Sequence, residues 1–447
     1  MATQKISNTK PYISIYQDVI SNINQKTSAS LLSAKQKAFD NLMTNGFPTH
    51  RKGNEDWKYT DVNKILQKEY KLLEKSSNST NAQHKNIISS LPSYNSNNNY
   101  LIFINGVFQP EISQISNESI IIDSLANSLD KYSSIINPHL ESLSTSDDPF
   151  MNFNTALFQD GVFIYAPENT IVSTPIQVIN IESNNPSDSD SIISPLLLVI
   201  TNDGSYVNLE EYCIGSENSS NLVNTISRFV ICKSSTLNYT RFQNYSNQTN
   251  NINNSLATLE QNSTFNSFYL DLGGQIIRNN LNVELLGEES TANMLGLYLP
   301  NSNQHVDNQV IVDHKSPYSY SDQTYKGILN GNAQSVFHGS IIVREKCIKV
   351  DAAQEDKNLL LSSEAEAYTK PAFWIYCDDV MCKHGAACGQ IDEESLFYLT
   401  SRGISNTVAK QLLVRGFVGD VLNRIESDAI NKKYIENQIE NRLDSWL

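Results

Sequence analysis

The sequence is short of positive charge and of long apolar segments. Its 447 residues include 33 Lys and Arg against 48 Asp and Glu, which gives a net charge of −15 at pH 7. This deficit disfavours nonspecific nucleic-acid binding, which depends on a basic surface. The longest apolar runs, such as PLLLVI at 195–200, are too short to cross a bilayer. The opening stretch MATQKISNTKPYISIYQDVI also lacks the apolar centre of a secretory signal. We therefore expect a cytoplasmic protein that binds neither nucleic acid nor membrane.

Cysteine is scarce, and two common catalytic patterns are missing. Six cysteines, from Cys213 to Cys388, are too few for a disulfide scaffold, so we expect reduced thiols. The chain has no G-x-x-x-x-G-K-[ST] stretch to hold nucleotide phosphates and no G-x-S-x-G stretch to carry a serine nucleophile. The chain is therefore not expected to be an ATPase itself.

The N-terminal part has the pattern of a helical region. Residues 12–74 read as helical, and SLLSAKQKAFDNLMTNGF places its apolar residues on one helical stripe, followed by Gly46 at the position of a C-terminal cap. The stripe consists of Leu31, Leu32, Ala38, Phe39 and Leu42. Trp57 and Tyr59 are aromatic anchors of the compact stretch that follows. The Ser- and Asn-rich segment at 74–100 predicts a linker, so we assign 1–99 to an N-terminal helical region and polar linker.

Residues 100–390 are predicted to be a β region. Short β-rich pieces such as YLIFINGVF, GVFIYAP and RFVICK alternate with Asn, Gly, Ser and Asp, which are typical of turns. No long helical period interrupts them up to about residue 375, which disfavours a wound α/β sheet. A sandwich, a barrel or a β-solenoid remains possible. The abundant Asn favours a solenoid, because side-chain amides can stack from coil to coil, although no crisp repeat period is visible.

The last part, 391–447, is predicted to be helical. Asp392 can cap a helix that runs through Leu399, and Gly403 fits its end. Ser405 can cap a second helix, so the two read as a helical hairpin. The apolar residues of the second helix are Val408, Leu412, Leu413, Phe417, Val421, Leu422 and Ile425. This stripe exceeds what a terminal hairpin needs for itself, which predicts that a partner docks on it.

HVDNQVIVDH is the first candidate site. It places His305, Asp307 and Gln309 on one face of a strand, with His314 beyond them. A base and its orienting carboxylate would have this spacing. A structural role, with polar groups hydrogen-bonded between stacked coils, is the interpretation we favour.

YCDDVMCKHGAACGQIDEE at 376–394 is the second candidate site. On an extended strand Cys382 and His384 point the same way, and thiolate and imidazole are both good ligands for iron or zinc. Cys377, at odd spacing from Cys382, would face away on a continuous strand, so a complete local site of four ligands is not expected. A two-ligand half-site completed by a partner is favoured. The plain alternative is a buried Cys382 and an ordinary hydrogen-bonded His384.

Several motifs in this order resemble the SufB/SufD family of iron–sulfur cluster assembly proteins. They are NEDWKYTD, FNTALFQDGVFIY, HVDNQVIVDH, YKGILNGNAQSVFHGSIIV and the long stretch from NLLLSSEAEAYTKPAFWIYCDDVMCKHGAACGQIDEESLFYLTSRGI into the helix that follows. Together they cover most of the chain. The first cysteine is Cys213, and no multi-cysteine motif stands in the N-terminal half, which favours the SufD type over a SufB-like, cluster-carrying paralogue.

The resemblance implies a fold and a function. The fold would be a right-handed parallel β-helix with helical N- and C-terminal parts. The function would be that of a non-enzymatic scaffold subunit, which with SufB and the ATPase SufC assembles nascent iron–sulfur clusters, transfers them to apo-proteins and can accept electrons from reduced flavin. The chain on its own could form a homodimer. Two rivals are a carbohydrate-active β-helix enzyme, disfavoured by the scattered acids and the absence of an export signal, and a stand-alone metal-binding protein, which has too few local ligands.

The resemblance also assigns residues. The family's functional histidine falls on His384, beside Cys382, at the interface with SufB, which would supply a cysteine. Either residue could then hold iron or a nascent cluster. The SufC-binding surface would fall on the terminal helices, with Phe397, Tyr398, Arg402, Gly403, Ile404, Leu412, Leu413 and Phe417. Cys377, Cys388 and His338 depart from the family pattern and receive no role.

Overall fold

The chain folds mainly into β-structure. The computed structural model describes residues 9–21, 29–49, 55–72, 82–91, 99–115, 119–183, 190–216, 218–425 and 432–446. It contains a β-solenoid of about 7 turns with helices on both sides along the chain, 42% strand and 28% helix, which confirms the predicted solenoid. The helices are α1 Tyr12–Ser21, α2 Ala29–Asn45, α3 Val62–Leu66, α4 Ala82–Ser90, α5 Leu125–Lys131, α6 Ser133–Leu143, α7 Pro149–Leu157, α8 Glu393–Thr400, α9 Asn406–Leu422 and α10 Lys432–Asp444. Short 3₁₀ turns occupy Glu55–Trp57 and Pro110–Ile112.

Two parallel sheets form the solenoid, and each full coil gives one strand to each sheet. In the first sheet the strands are β1 Lys71–Leu72, β4 Ile121–Ser124, β5 Gly161–Ala166, β7 Ser191–Ile193, β8 Leu196–Thr201, β10 Leu222–Ile231, β12 Asn250–Leu259, β14 Ile276–Leu285, β16 His305–His314, β18 Gln334–Val343 and β20 Glu366–Ile375. In the second sheet they are β2 Tyr100–Ile104, β3 Val107–Phe108, β6 Ile171–Glu182, β9 Tyr206–Gly215, β11 Thr236–Asn244, β13 Thr264–Asp271, β15 Thr291–Tyr298, β17 Tyr320–Leu329, β19 Asp351–Leu360 and β21 Met381–Gln390. Pairing is parallel from β5 and β6 onward, and the antiparallel pairs β2–β3 and β4–β5 lie at the first coil.

The corners of the coils explain why no repeat period is visible in the sequence. Residues hydrogen-bonded across neighbouring coils are separated by as few as 26 and as many as 35 positions. In successive coils the turn leading from the first sheet to the second has a residue with positive φ two positions before the next strand, and it need not be Gly. These residues are Asn169, Gly204, Ser234, Asn262, Glu289, Tyr318 and Lys349. Variable coil length and varied corner residues together blur any sequence repeat.

Asparagine side chains stack along the outside of the second sheet, as the composition predicted. Asn238 donates to Asn208, Asn266 to Asn238 and Asn293 to Asn266, each over 2.8 Å. Each shared amide donates its N–H to the preceding coil and accepts with its oxygen from the next coil. The ladder therefore satisfies polar side chains without help from solvent and holds the coils in register.

The N-terminal half of the chain differs from its prediction in three places. Gly46 does end α2, with a φ of +67°, but Leu32 on the expected apolar stripe is exposed. The predicted linker at 74–100 contains α4, while its residues 73–81 and 92–98 lie outside the described residues. Helices α5 to α7 interrupt the region expected to be without helix. Every residue of α7 from Phe150 to Leu157 is buried, the polar Asn152, Asn154 and Thr155 included, so its polar residues do not mark a solvent-facing side of the helix.

The C-terminal hairpin forms as predicted. The Asp392 carboxylate accepts the Ser395 N–H over 2.8 Å and caps α8, Gly403 follows with a φ of +87°, and Ser405 caps α9. Helix α9 ends at Leu422, so Ile425 lies beyond it. Its buried valines, Val414, Val418 and Val421, belong to the same apolar cluster as Leu270, Leu297 and Ile328 on the outside of the second sheet. In the part of the chain that the structure describes, no helix is long and apolar enough to span a membrane.

Candidate functional site at the open end of the solenoid

The last coil presents an uncovered interior face. In the described residues, β20 and β21 are the terminal strands of the two sheets. Four residues of β21 lie opposite residues of β19 that point into the solenoid and are buried. The pairs are Cys382 with Ala352, His384 with Gln354, Ala386 with Asp356 and Cys388 with Asn358. Cys382 and His384 therefore share the inward face, as their spacing predicted, but no further coil covers that face.

His384 is an exposed side chain that rests on an aromatic ring. Its imidazole stacks on Phe373 of β20, with ring centroids 4.3 Å apart and planes 26° from parallel. No described residue forms a hydrogen bond with either ring nitrogen. Both nitrogens are therefore available to a ligand, and the arrangement does not match a buried, hydrogen-bonded histidine.

Cys382 lies deeper than His384. It packs against an apolar cluster that includes Ile341, Val350 and Ala352. Burial raises the pKa of the Cys382 thiol, and the charge of Asp351 adds to the rise, so the free thiol is the form favoured in the isolated chain. This agrees with the plain alternative of a small apolar residue at this position.

Cys377 is placed differently from its prediction. The expected facing holds only on one continuous strand, but β20 ends at Ile375 and β21 begins at Met381. The turn between them brings Cys377 against the same apolar cluster as Cys382 and Cys347. Spacing along the chain predicts facing only within one strand, so the prediction that Cys377 faces away was wrong.

No complete metal site exists at His384 among the described residues. Across those residues, the three potential ligands that converge are Asp203, Cys232 and Glu260, on turns of three successive coils far from the open end in sequence. His384 and Cys382 are not part of such a group. The half-site therefore stays the arrangement to test.

The residues of HVDNQVIVDH join the N-terminal segment to the solenoid. Asp307 forms a buried ion pair with Arg278 and accepts a hydrogen bond from Thr60. Thr60 also contacts His305 Nε2 over 2.8 Å, and the Arg278 guanidinium lies 3.8 Å from the centre of the Trp57 ring. Burial lowers the pKa of His305, which favours its neutral form. This arrangement supports the structural interpretation of the motif.

Two further histidines are accounted for by local hydrogen bonds. Gln309 donates its amide N–H to Asp307 over 2.7 Å, which leaves its amide oxygen to accept from His338 Nδ1 at 3.0 Å. His314 is buried between Ser319 and Ser321, at 2.8 and 2.9 Å, and burial lowers its pKa to about 4. Both residues thus have partners within the solenoid wall.

The eight residues predicted to bind an ATPase fall into two groups. Phe397 is 73% exposed and Leu412 46% exposed. Tyr398, Arg402 and Gly403 are exposed too, with the Arg402 guanidinium 4.1 Å from the Tyr398 ring centre. Ile404, Leu413 and Phe417 are half-buried.

Phe417 is turned toward the solenoid. It packs against the apolar cluster beneath α9, and the ammonium group of Lys326 lies 4.5 Å from its ring centre. The same ammonium donates to the Phe417 carbonyl over 2.9 Å and to Asp420 over 2.8 Å. Phe417 therefore holds α9 on the sheet, and a change there would disturb the fold as well as any docking.

Sequence reasoning missed the polar residues beneath His384. Gln354 and Asp356 of β19 are buried and face inward below His384 and Ala386. Their signal in the sequence was the run of five consecutive polar residues QEDKN at 354–358, which on a strand must put polar side chains on both faces. That run does not show which of the two faces is covered.

The sequence was compared with known proteins. Residues 183–417 match the SufBD core domain of the SUF system for FeS cluster assembly, and residues 6–178 match the SufBD N-terminal region. An iron–sulfur cluster assembly SufBD family protein of Synechocystis is 27% identical over 405 residues, covering 88% of this chain and 87% of the relative. The iron–sulfur cluster assembly protein SufD of Escherichia coli is 35% identical over 182 residues, covering 41% and 43%. The chloroplastic protein ABCI7 of Arabidopsis thaliana is 28% identical over 293 residues, covering 64% and 61%.

Proposed function

The chain belongs to the SufBD family of iron–sulfur cluster assembly proteins, and we propose that it is a SufD-type scaffold subunit. In this proposal it joins a SufB-like paralogue and a SufC-like ATPase in the cytoplasm, and the complex assembles clusters and passes them to apo-proteins. The chain itself performs no catalysis and retains no cofactor tightly. Iron and sulfide are the cargo of the complex.

The observation that carries the proposal is His384, an exposed side chain on the inward face of the last described coil of the solenoid. The outer edges of β20 and β21 carry backbone N–H and C=O groups that no further strand pairs within the described residues. Such edges are templates for another sheet. A paralogue with the same two-sheet solenoid could place its own last coil against this one.

An edge-to-edge arrangement would complete the half-site. The imidazole of His384 offers a nitrogen ligand, and a cysteine thiolate from the paralogue would add the soft ligand that iron also accepts. Cys382 is the weaker candidate here, since its thiol is packed in apolar surroundings. The exposed Trp374, Tyr376 and Met381 at this end would be covered by the same contact.

Two other functions are less well supported. A SufB-like paralogue would be expected to carry a cluster through its own cysteines, yet no group of three converging ligands among the described residues involves the open end. A carbohydrate-active enzyme would need carboxylates gathered along one solenoid face. The inward carboxylates Glu211 and Asp271 are instead buried beside Arg241, with carboxylate-to-guanidinium distances of 3.8 and 3.5 Å.

Substitution of His384 tests the proposal. The chain would be co-expressed with its SufB-like and SufC-like partners, and bound iron and sulfide would be measured after anaerobic purification. We expect His384→Ala to lower cluster content by about tenfold or more, as for loss of a metal ligand, while complex formation and Tm stay unchanged. Cys382→Ser is the comparison variant and should have a smaller effect. Normal cluster content in His384→Ala would refute the role assigned to this end.

The ATPase surface is tested separately. Leu412→Asp places a charge on the exposed face of α9 and should abolish co-purification of the ATPase with no change in Tm. Phe417→Asp is the matched control, since it charges the face packed on the solenoid and should lower Tm. Retention of the ATPase by Leu412→Asp would show that docking occurs elsewhere.

A further inference from the structure

Two glutamine side chains inside the last coils have no hydrogen-bond partners. Gln354 of β19 is 2% exposed, and neither its amide nitrogen nor its amide oxygen has a partner among the described residues. Gln323 of β17, one coil deeper and directly opposite in register, is equally buried and equally unpartnered. A buried polar group without a hydrogen bond destabilises a fold. Gln354 therefore has unused binding capacity in a place where the fold alone would favour an apolar residue.

The room for this side chain comes from Gly339 on the opposite sheet. A Cβ atom at Gly339 would stand 1.8 Å from Gln354 Nε2 and 2.9 Å from Gln323 Oε1. Any larger residue at 339 would displace the amide. The interior is thus built around the Gln354 side chain.

Gln354 lies directly beneath His384 on the inward face of the second sheet. The two residues are register partners on neighbouring strands, so their side chains leave the sheet on the same side. Within the described residues no further coil covers His384, and neither atom of the Gln354 amide has a hydrogen-bond partner below it.

A buried carboxylate next to Gln354 favours a cation. Asp356 is 1% exposed and lies beneath Ala386, whose side chain is small. It accepts hydrogen bonds from the Tyr298 hydroxyl over 3.1 Å and from Asn358 Nδ2 over 2.8 Å. An anionic ligand would be repelled by this carboxylate, whereas a metal ion would be attracted.

We propose that Gln354 is a metal-binding residue of the His384 site, and that its amide oxygen helps to hold a divalent transition-metal ion such as ferrous iron at the open end. The inference rests on the proposed function and extends it with a residue from this chain. Imidazole nitrogen and amide oxygen both suit such an ion. Asp356, the next inward-facing residue of β19, offsets the charge of the metal ion. A water molecule held by the amide is the competing explanation.

The test uses the complex of the full chain with its partner subunits, with Co²⁺ as a spectroscopic probe. We expect a His384-dependent visible absorption band in the wild-type complex. Gln354→Leu should weaken Co²⁺ binding by about tenfold, as for loss of a residue that supports a metal site, and Gln354→Glu, which keeps an oxygen in place, should restore it. Gln323→Leu is the matched control, because it removes an equally buried amide that lies one coil further from His384, and it should leave Co²⁺ binding unchanged.

The melting temperature without metal separates a binding role from a structural one. If the amide is retained for a ligand, Gln354→Leu should raise Tm, because an unpartnered buried amide is removed. If it holds a structural water, Tm should fall. A wild-type Co²⁺ affinity in Gln354→Leu, or an equal loss in Gln323→Leu, would overturn the inference.

The same experiment distinguishes the two levels of the argument. If His384→Ala abolishes cluster formation and Co²⁺ binding but Gln354→Leu does not weaken Co²⁺ binding, the proposed function stands and the role of Gln354 is wrong. If Co²⁺ binding and cluster formation are both independent of His384, the proposed function fails, and the inference fails with it.

Discussion

The middle coils and the last coil of the solenoid share one architecture but not one environment. In the middle, Phe229 of β10 points inward, is fully buried, and contacts Tyr239 and Phe265 at ring distances of 4.7 and 5.4 Å. At the end, Phe373 of β20 also points inward, but it is half-buried and its ring neighbour is the exposed His384. The difference is the presence or absence of a following coil.

This comparison teaches where a solenoid can place a binding site. Each coil buries its interior only through its neighbours, so a terminal coil exposes residues of the interior type. Such a face is expected to be covered or used. Here it carries an exposed histidine above an unpartnered amide, which are poor choices for a core and good choices for a ligand.

A matched pair of phenylalanine variants would measure the difference directly. Phe229→Ala should lower the free energy of unfolding by about 3–5 kcal/mol, since it leaves a cavity in a closed core. Phe373→Ala should lower the free energy of unfolding by about 1 kcal/mol or less, since the Phe373 side chain is only half-buried. Urea unfolding of both variants is the measurement. Equal losses would mean that the last coil is as structural as the middle ones.

A second pair compares a buried ion pair with an exposed one. Arg278→Leu leaves the Asp307 carboxylate buried without its cation and should cost about 3 kcal/mol. Lys349→Leu removes the partner of Asp379, 2.9 Å away, in a pair whose side chains are both more than half exposed, and should change stability little. Thermal unfolding of the two variants would decide. A small effect of Arg278→Leu would show that the N-terminal segment does not depend on this network.

The smallest expected effect concerns the pH dependence of stability that arises from Asp356, near the open end of the solenoid. Burial raises the pKa of Asp356 from 3.8 to about 6. Because the folded pKa lies above the unfolded one, the stability linked to this group is fully present below pH 3.8 and is lost as pH rises through 6. Asp356→Asn should therefore raise the free energy of unfolding at pH 7.5 by on the order of 1 kcal/mol and have little effect at pH 3.5. A constant difference between variant and parent at both pH values would contradict this linkage.

Several local features could be predicted because their causes lie within a few residues. The caps at Asp392 and Ser405 and the stop at Gly403 depend on side-chain and backbone chemistry of single turns. The asparagine ladder was predicted as a type of contact, though its members were not. Helix α7 was missed for a physical reason: its polar residues are buried together with its apolar ones, so they do not mark a solvent-facing side of the helix.

The sequence by itself determined the β-rich texture, the capped terminal hairpin and the shared facing of Cys382 and His384, since all three follow from local chemistry or from the two-residue period of a strand. Only the tertiary structure decided which faces are covered. Coverage depends on coils 26 to 35 residues away and on where the last coil ends. For that reason Phe417 proved to face the solenoid, Cys377 to join the cluster of Cys382, and Gln354 to lie unpartnered beneath His384.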